Sequence, residues 1–141
     1  MCDDLQNARQ MLDAGDYTCV LCRGSRFYTS TQRGVAPLLT WLAAGTSLEG
    51  FSAADRVVGK ATAYLYCLLG VSRVYARVMS KPALEVLRKN RIAASWGTLV
   101  EGIENRQKNG PCPMEHATRG CTSPEEALEA IRETLRRLQT A

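Results

Sequence analysis

The segment from residue 50 to residue 63 constrains the fold more than any other part of the chain. Ser52 is followed three residues later by Asp55, which fits a helix-capping pattern, and apolar residues then recur at helical spacing as far as Leu69. This pattern predicts one helix from Ser52 to Leu69 with Gly59 in its interior. Because an interior glycine destabilises a helix by about 1 kcal/mol relative to alanine, we expect a closely packed backbone or a bound group at Gly59.

The rest of the chain predicts helices that alternate with strands. Only Gly24-Ser25 separates two β-prone runs, and glycine at the first position of a two-residue loop is typical of a type II′ hairpin. Thr98 and Glu101 form a second capping pattern, which predicts one or two helical turns. The remaining predicted elements are helices over 3–14, 34–44 and 81–90, a last helix capped by Ser123, and strands over 17–22, 26–30, 73–79 and 92–96.

This order of elements predicts an α/β fold. A hairpin followed by strand–helix–strand units indicates one mixed sheet with helices on both of its faces. Along the strand at 73–79, alternation places Val74, Ala76 and Val78 together on one face. A chain of 141 residues suits a single domain, 1–141.

Composition and charge argue against several classes of partner. The net charge of +4 is small and the basic residues are scattered, so we expect no nucleic-acid partner. No apolar run approaches the roughly 18 residues that span a bilayer, so we expect no membrane insertion. The acidic start, Met1 to Leu5, is unlike a signal peptide, which predicts a cytoplasmic location where the six cysteines stay reduced.

Four pieces of the sequence carry a resemblance: Gly34-Val35-Ala36-Pro37-Leu38-Leu39, Ala54-Asp55-Arg56-Val57-Val58-Gly59-Lys60-Ala61, Val74-Tyr75-Ala76 and Gly110-Pro111-Cys112-Pro113-Met114-Glu115. Through them the chain resembles a small bacterial and archaeal family of uncharacterised proteins in the cytidine-deaminase-like superfamily. The order of helix, antiparallel strand pair and helix–strand–helix–strand is similar to that superfamily. The resemblance implies a three-layer α/β/α domain with a mixed sheet, and it leaves the reaction open.

The zinc chemistry of the deaminases needs ligands that this sequence lacks. The signature is His or Cys, one residue, Glu, and later Pro-Cys-x-x-Cys. No cysteine or histidine here has Glu two residues later, and the expected motif positions hold Ala53-Ala54-Asp55 and Ser80-Lys81-Pro82-Ala83. The Pro111 to Glu115 segment imitates the second motif without its second cysteine. We therefore expect no catalytic zinc site and no other cofactor.

Asp55, Gly59, Lys60 and Thr62 are the candidate ligand-binding residues. On the predicted helix, Asp55, Gly59 and Thr62 share a face that combines a carboxylate, a gap and a hydroxyl, whereas Lys60 lies about 140° away from Asp55. The predicted pocket lies at the N-terminus of this helix, which favours an anionic or carbonyl-bearing ligand. Two other interpretations stay open: Asp55 completes the helix cap, and Gly59 serves packing between the helix and the sheet.

Cys112 and His116 are the candidate catalytic residues. Pro113 suits the first position of a helical turn, so Cys112 becomes its cap, and a helix N-terminus stabilises a thiolate. His116, four residues later, would stand on the same face as a possible base. The alternative is a structural turn with Cys112 buried and His116 in solvent. A metal site formed with Cys121 lacks any supporting Cys-x-x-Cys pair, and Cys19-x-x-Cys22 lies on a strand, where its thiols face opposite sides.

Three functional hypotheses follow. The first is a small-molecule-binding or sensory protein on a deaminase-like scaffold that lacks the zinc centre. The second is a cysteine-dependent transferase or hydrolase that uses Cys112 as its nucleophile. The third is a structural or partner-binding module, with a possible homo-oligomer formed through a sheet edge or the strand at 73–79.

Overall fold

The computed structural model describes residues 3–103 and 112–140. Within these ranges, helices and strands follow one another along the chain, and a short helix and then a long one form its last part. They are α1 (Asp4–Ala14), β1 (Cys19–Arg23), β2 (Arg26–Ser30), α2 (Ala36–Ala43), β3 (Ser52–Val58), α3 (Lys60–Leu69), β4 (Arg73–Ser80), α4 (Lys81–Lys89), β5 (Ala93–Val100), α5 (Pro113–Thr118) and α6 (Pro124–Thr140).

The sheet has five strands in the order β2-β1-β3-β4-β5. β1 is antiparallel to both β2 and β3, whereas β3, β4 and β5 are parallel to one another. α1 packs on one face of the sheet through its own small core, and the other helices build the larger core around α3 on the opposite face. The predicted α/β fold with a mixed sheet between helical layers is therefore confirmed.

The predicted helix from Ser52 is wrong, because residues 52–58 form the central strand β3. Ser52 and Asp55 are therefore not a helix cap, and Gly59 is not inside a helix but is the N-cap residue of α3. A central strand covered on both faces has no polar alternation to reveal it, and Ser52 to Asp55 are all buried. The helical end at Gly70 is as predicted, since this glycine adopts the left-handed conformation with φ of 84°.

β3, β4 and β5 share an irregularity that obscures their alternation. In each strand, the first two core-facing residues are two positions apart, as in a regular strand. The third core-facing residue lies three positions after the second. The extra residue is Arg56 in β3, Arg77 in β4 and Gly97 in β5, and these three residues have no partners in the strand pairing. Because the extra residues lie side by side, the pairing register is the same before and after them. The core-facing residues are Ala53, Asp55 and Val58 in β3, Val74, Ala76 and Met79 in β4, and Ala94, Trp96 and Leu99 in β5.

Two further predictions in β4 and β5 are wrong. Val78, expected in the buried face of its strand, is only partly buried, and Met79 is fully buried in its place. The helical turns predicted from Thr98 are absent, because β5 continues to Val100. The hairpin of β1 and β2, α1, α2, α4 and the capped last helix agree with the sequence patterns. The loop expected over 106–111 lies outside the described residues.

No helix within the described ranges is both long enough and apolar enough to cross a membrane.

Candidate functional site

A cavity of about 350 Å³ lies where β3 ends and α3 begins. We call it the Asp55 cavity. In mixed α/β sheets, the carboxyl ends of parallel strands commonly border ligand sites, because the loops and helix starts there leave a crevice. Its walls come from β1, β3, the start of α2, the start of α3, and α5, and they include Cys19, Asp55, Pro37, Thr62, Cys112 and Glu115.

Asp55 is a buried carboxyl at the wall of this cavity, with a fractional exposure of 8%. The Tyr66 hydroxyl donates a hydrogen bond to Asp55 Oδ2 at 2.6 Å, and the Val57 N–H donates to Oδ1 at 3.3 Å. Burial raises the pKa of Asp55 from 3.8 to about 6, while the bond from Tyr66 and then the bond from Val57 oppose the rise. Asp55 therefore changes its protonation state near pH 6.

Two groups beside Asp55, Cys19 and Tyr66, stay neutral. Cys19 stands opposite Asp55 in the ladder between β1 and β3. Burial, and then the Asp55 charge, raise the pKa of the Cys19 thiol far above its usual value. Burial likewise raises the pKa of Tyr66 well above its usual value, and the nearby Asp55 charge adds to the effect. Of these three groups, Asp55 alone changes its protonation state near pH 6.

The start of α3 is capped by a side chain from another element. Lys60 N–H donates a hydrogen bond to Glu115 Oε1 at 2.6 Å, so this carboxyl from α5 takes the place of an N-cap side chain. Burial raises the pKa of Glu115, and the bond from the Lys60 N–H opposes the rise. A Cβ at Gly59 would overlap Glu115 Oε1 and would lie 3.0 Å from Ile103 Cγ1. Gly59 is thus explained by the close approach of a side chain.

The structure brings three of the four predicted ligand-binding residues to one cavity. Asp55, Gly59 and Thr62 all line it, although the reason given for their proximity, a shared helix face, is wrong. Lys60 does not line the cavity. Its Nζ donates to the Arg119 carbonyl oxygen at 2.9 Å instead. That Asp55, Gly59 and Thr62 bind a ligand stays a prediction.

Of the two predicted catalytic residues, Cys112 lines the Asp55 cavity and His116 does not. Cys112 is the N-cap residue of α5, with Pro113 at the first helical position as predicted, and it lines the Asp55 cavity. His116 is exposed and does not line the cavity, and its described contact with Cys112 is a backbone bond from His116 N–H to the Cys112 carbonyl oxygen at 3.0 Å. Over residues 3–103 and 112–140, no group of three His, Cys, Asp or Glu residues could hold a metal ion.

Sequence reasoning missed three residues of this site. No sequence pattern links Tyr66 to Asp55, but a buried tyrosine hydroxyl needs a hydrogen-bond partner, and that partner is Asp55. Glu115 belongs to the Cys112 segment, but the sequence does not indicate that it caps α3. Arg56 also lines the cavity, and its buried Nε meets no hydrogen-bonding partner among the described residues. No local pattern indicates the roles of Glu115 and Arg56, because their neighbours are distant in sequence.

The residues compared with the zinc motifs were also the wrong ones. Because β3 is a strand, the helix that follows the hairpin is α2, and the helix that follows the third strand is α3. These helices begin at Val35-Ala36-Pro37 and at Gly59-Lys60-Ala61. Neither start contains a cysteine, a histidine or a glutamate.

Comparison with known proteins gives one family and two structural neighbours. The family model described as TM1506, domain of unknown function (DUF1893), matches residues 7–135. The crystal structure of a DUF1893 family protein (TM1506) from Thermotoga maritima aligns with a TM-score of 0.85 and 23% identity, over 92% of this chain and 88% of that chain. A dCMP deaminase from the cyanophage S-TIM5, in apo form, aligns with a TM-score of 0.45 and 11% identity, over 66% of this chain and 93% of that chain. No curated protein matches the sequence.

Proposed function

The chain belongs to the DUF1893 family, as its resemblance to an uncharacterised family predicted, and from that premise we propose that it is a cytoplasmic small-molecule-binding or sensory protein. The ligand occupies the Asp55 cavity. The observation that carries this proposal is the buried carboxyl of Asp55 at the cavity wall, because burial of an acid is unfavourable unless another requirement maintains it.

The chemistry of the Asp55 cavity supports a ligand with a hydrogen-bond donor. An ionised carboxylate accepts several hydrogen bonds, and Tyr66 and Val57 supply two of them. A further donor from a ligand, such as an amino, amide or amidine N–H, satisfies the remaining acceptor capacity. Such a bond to the ionised form also lowers the pKa of Asp55 toward its usual value, so binding and deprotonation reinforce each other.

Other walls of the cavity favour an acceptor on the same ligand. The first turn of α3 carries partial positive charge, and Thr62 in that turn lines the cavity. Arg56 adds a cationic side chain to the lining. A compact molecule with a donor for Asp55 and a carbonyl oxygen for these residues suits both ends, because Glu115 already places a carboxyl at the start of α3. A volume of about 350 Å³ is within the range of small-molecule sites, near its lower limit.

The test is thermal stabilisation by a panel of compact amino, amide and amidine compounds. We expect at least one compound to raise the melting temperature of the wild-type protein, since a ligand that binds the folded state stabilises it by mass action. Asp55→Asn should abolish the shift while Asp16→Asn, an exposed acid outside the cavity, should retain it. A compound that stabilises the Asp55→Asn variant as strongly as wild type would remove Asp55 from the site.

A second function is favoured by one observation, namely that Cys112 lines the same cavity as Asp55. In this alternative, the protein is a transferase or hydrolase with Cys112 as nucleophile. The geometry supports it less well, because exposed His116 does not face the cavity as a base. The rate of thiol alkylation against pH, compared between wild type and Cys112→Ser, tests it. A Cys112 that alkylates no faster than free cysteine near neutral pH would end the alternative.

A further inference from the structure

Among the residues that the structure describes, β5 is an edge strand without the usual protection of sheet edges. It pairs with β4 along one side, and no described residue pairs with its other side. Its eight residues include no charged residue and no proline, although natural proteins normally shorten an edge strand or place charges or proline on it. The opposite edge, β2, has only five residues and begins with Arg26. The unprotected edge of β5 therefore requires an explanation.

The side chains of β5 are complementary to those of a second copy running in the opposite direction. The first three residues of the strand are small and the last three are larger, and Trp96 and Gly97 lie at the centre. A two-fold axis between Trp96 and Gly97 places a small residue of one copy opposite a larger residue of the other at every position. The resulting pairs are Ala93 with Val100, Ala94 with Leu99, Ser95 with Thr98, and Trp96 with Gly97.

The faces of the strand agree with this register. Directly opposed residues in an antiparallel pair lie on the same face of the sheet. Ala94 and Leu99 both face the larger core, so the two are opposed on one face in this register. The agreement depends on the irregularity at Gly97, which lies at the centre of the strand and changes the alternation there. A slip of one residue would oppose side chains from different faces.

The charges that flank β5 select the antiparallel direction. Arg91 precedes the strand and Glu101 follows it, and both are exposed. Antiparallel pairing brings the Arg91 end of one copy close to the Glu101 end of the other. Parallel pairing would place the two Arg91 side chains together, and like charges directly opposite one another are destabilising, whereas Glu101 is already paired with Lys81 of its own copy.

We propose that two copies of this chain pair through β5, antiparallel and about a two-fold axis between Trp96 and Gly97, so that one sheet continues through both copies. The large-to-small complementarity is a property of the strand with itself, which is why the occupant is a second copy rather than another protein. The proposal does not depend on the function of the Asp55 cavity.

Sedimentation of the full chain at micromolar concentrations tests the proposal. We expect twice the chain mass of 15.5 kDa. Thr98→Lys puts an exposed charge on the edge in each copy, and it should weaken dimerisation by about tenfold or more. Thr29→Lys, at an exposed position of the other edge strand, should leave the dimer unchanged. A wild-type monomer throughout this range, or a Thr98→Lys dimer of unchanged strength, would overturn the proposal.

A crosslinking variant tests the register without relying on a weakened dimer. Ser95→Cys combined with Thr98→Cys places thiols opposite each other across the two-fold axis, within reach of a disulfide. Mild oxidation should then link two copies through Cys at 95 and Cys at 98, as identified by peptide mass spectrometry. Ser95→Cys alone should not form this link, because its thiol faces Thr98. Equal crosslinking of the single and double variants would refute the register.

Discussion

Replacement of Asp55 by asparagine should make the protein more stable at neutral pH. The carboxyl releases its proton near pH 3.8 in the unfolded chain and near pH 6 in the folded protein, where burial disfavours the charge. Between these values the folded state holds the extra proton, so wild-type stability falls as pH rises through this window. A difference of about two pKa units corresponds to about 3 kcal/mol of stability, fully present below pH 3.8 and lost above pH 6.

Asparagine removes this loss because it carries no charge at any pH. The substitution also loses one of the two acceptors that Tyr66 and Val57 use, at a cost of about 1 kcal/mol. We therefore expect Asp55→Asn to be about 1 kcal/mol less stable than wild type near pH 4 and about 2 kcal/mol more stable near pH 7.

Urea unfolding of wild type and Asp55→Asn at a series of pH values provides the measurement. The quantity of interest is the difference between their unfolding free energies, since groups common to both proteins, including Glu115, largely cancel. Asp16→Asn controls for the loss of an acid at an exposed position. A difference that stays constant from pH 4 to pH 7 would show that Asp55 does not carry the burial cost, and the reasoning about the Asp55 cavity would fail with it.

Three other substitutions test the contacts around the cavity through the melting temperature. Gly59→Ala should destabilise the protein by about 1–3 kcal/mol, because its Cβ displaces Glu115 from the start of α3, whereas Gly102→Ala has open space and should change little; equal effects would contradict the contact. Glu115→Ala should cost about 1 kcal/mol through loss of the cap, and it should reduce the additional effect of Gly59→Ala; additive effects would argue against their coupling. Tyr66→Phe should cost about 1–3 kcal/mol and raise the pKa of Asp55 further, measurable by NMR titration, and an unmoved pKa would remove this bond from the account.

Local signals predicted most of the elements correctly. Capping residues and glycines determine where helices end, and they do so through contacts with residues close in sequence. Ser123 accepts from the Glu126 N–H, and Gly70 ends α3 in the left-handed conformation. The hairpin of β1 and β2 has its loop glycine at φ of 61°. These features depend on a few neighbouring residues and were visible without a fold.

The central strand could not be predicted in this way. Its core-facing residues, Ala53, Asp55 and Val58, mix a spacing of two with a spacing of three, so they suggested a helix. The strand is identified by pairing with β1 and β4, and both partners are distant in the sequence. Because this strand was taken for part of a helix, the predicted start of the helix was Ser52, whereas α3 begins at Lys60.

Part of the candidate site was predicted for a reason that the structure does not support. Asp55 and Gly59 are close in the chain, so either a strand followed by a helix or one helix brings them near each other. Glu115 and Cys112 reach the same cavity only because α5 packs against α3. Gly59 was expected inside a helix beside a packed backbone or a bound group, but it precedes α3, and the approaching group is a side chain 56 positions away, which no single-sequence pattern indicates.

The sequence by itself determined the α/β class, several helix ends such as those at Ser123 and Gly70, and the hairpin, because each follows from the identity or spacing of residues. Only the tertiary structure decided that Ser52–Val58 is a central strand, that Asp55 is buried with a raised pKa, and that Glu115 caps α3. These properties depend on burial and on contacts between distant segments. Desolvation and packing exist only after the chain has folded.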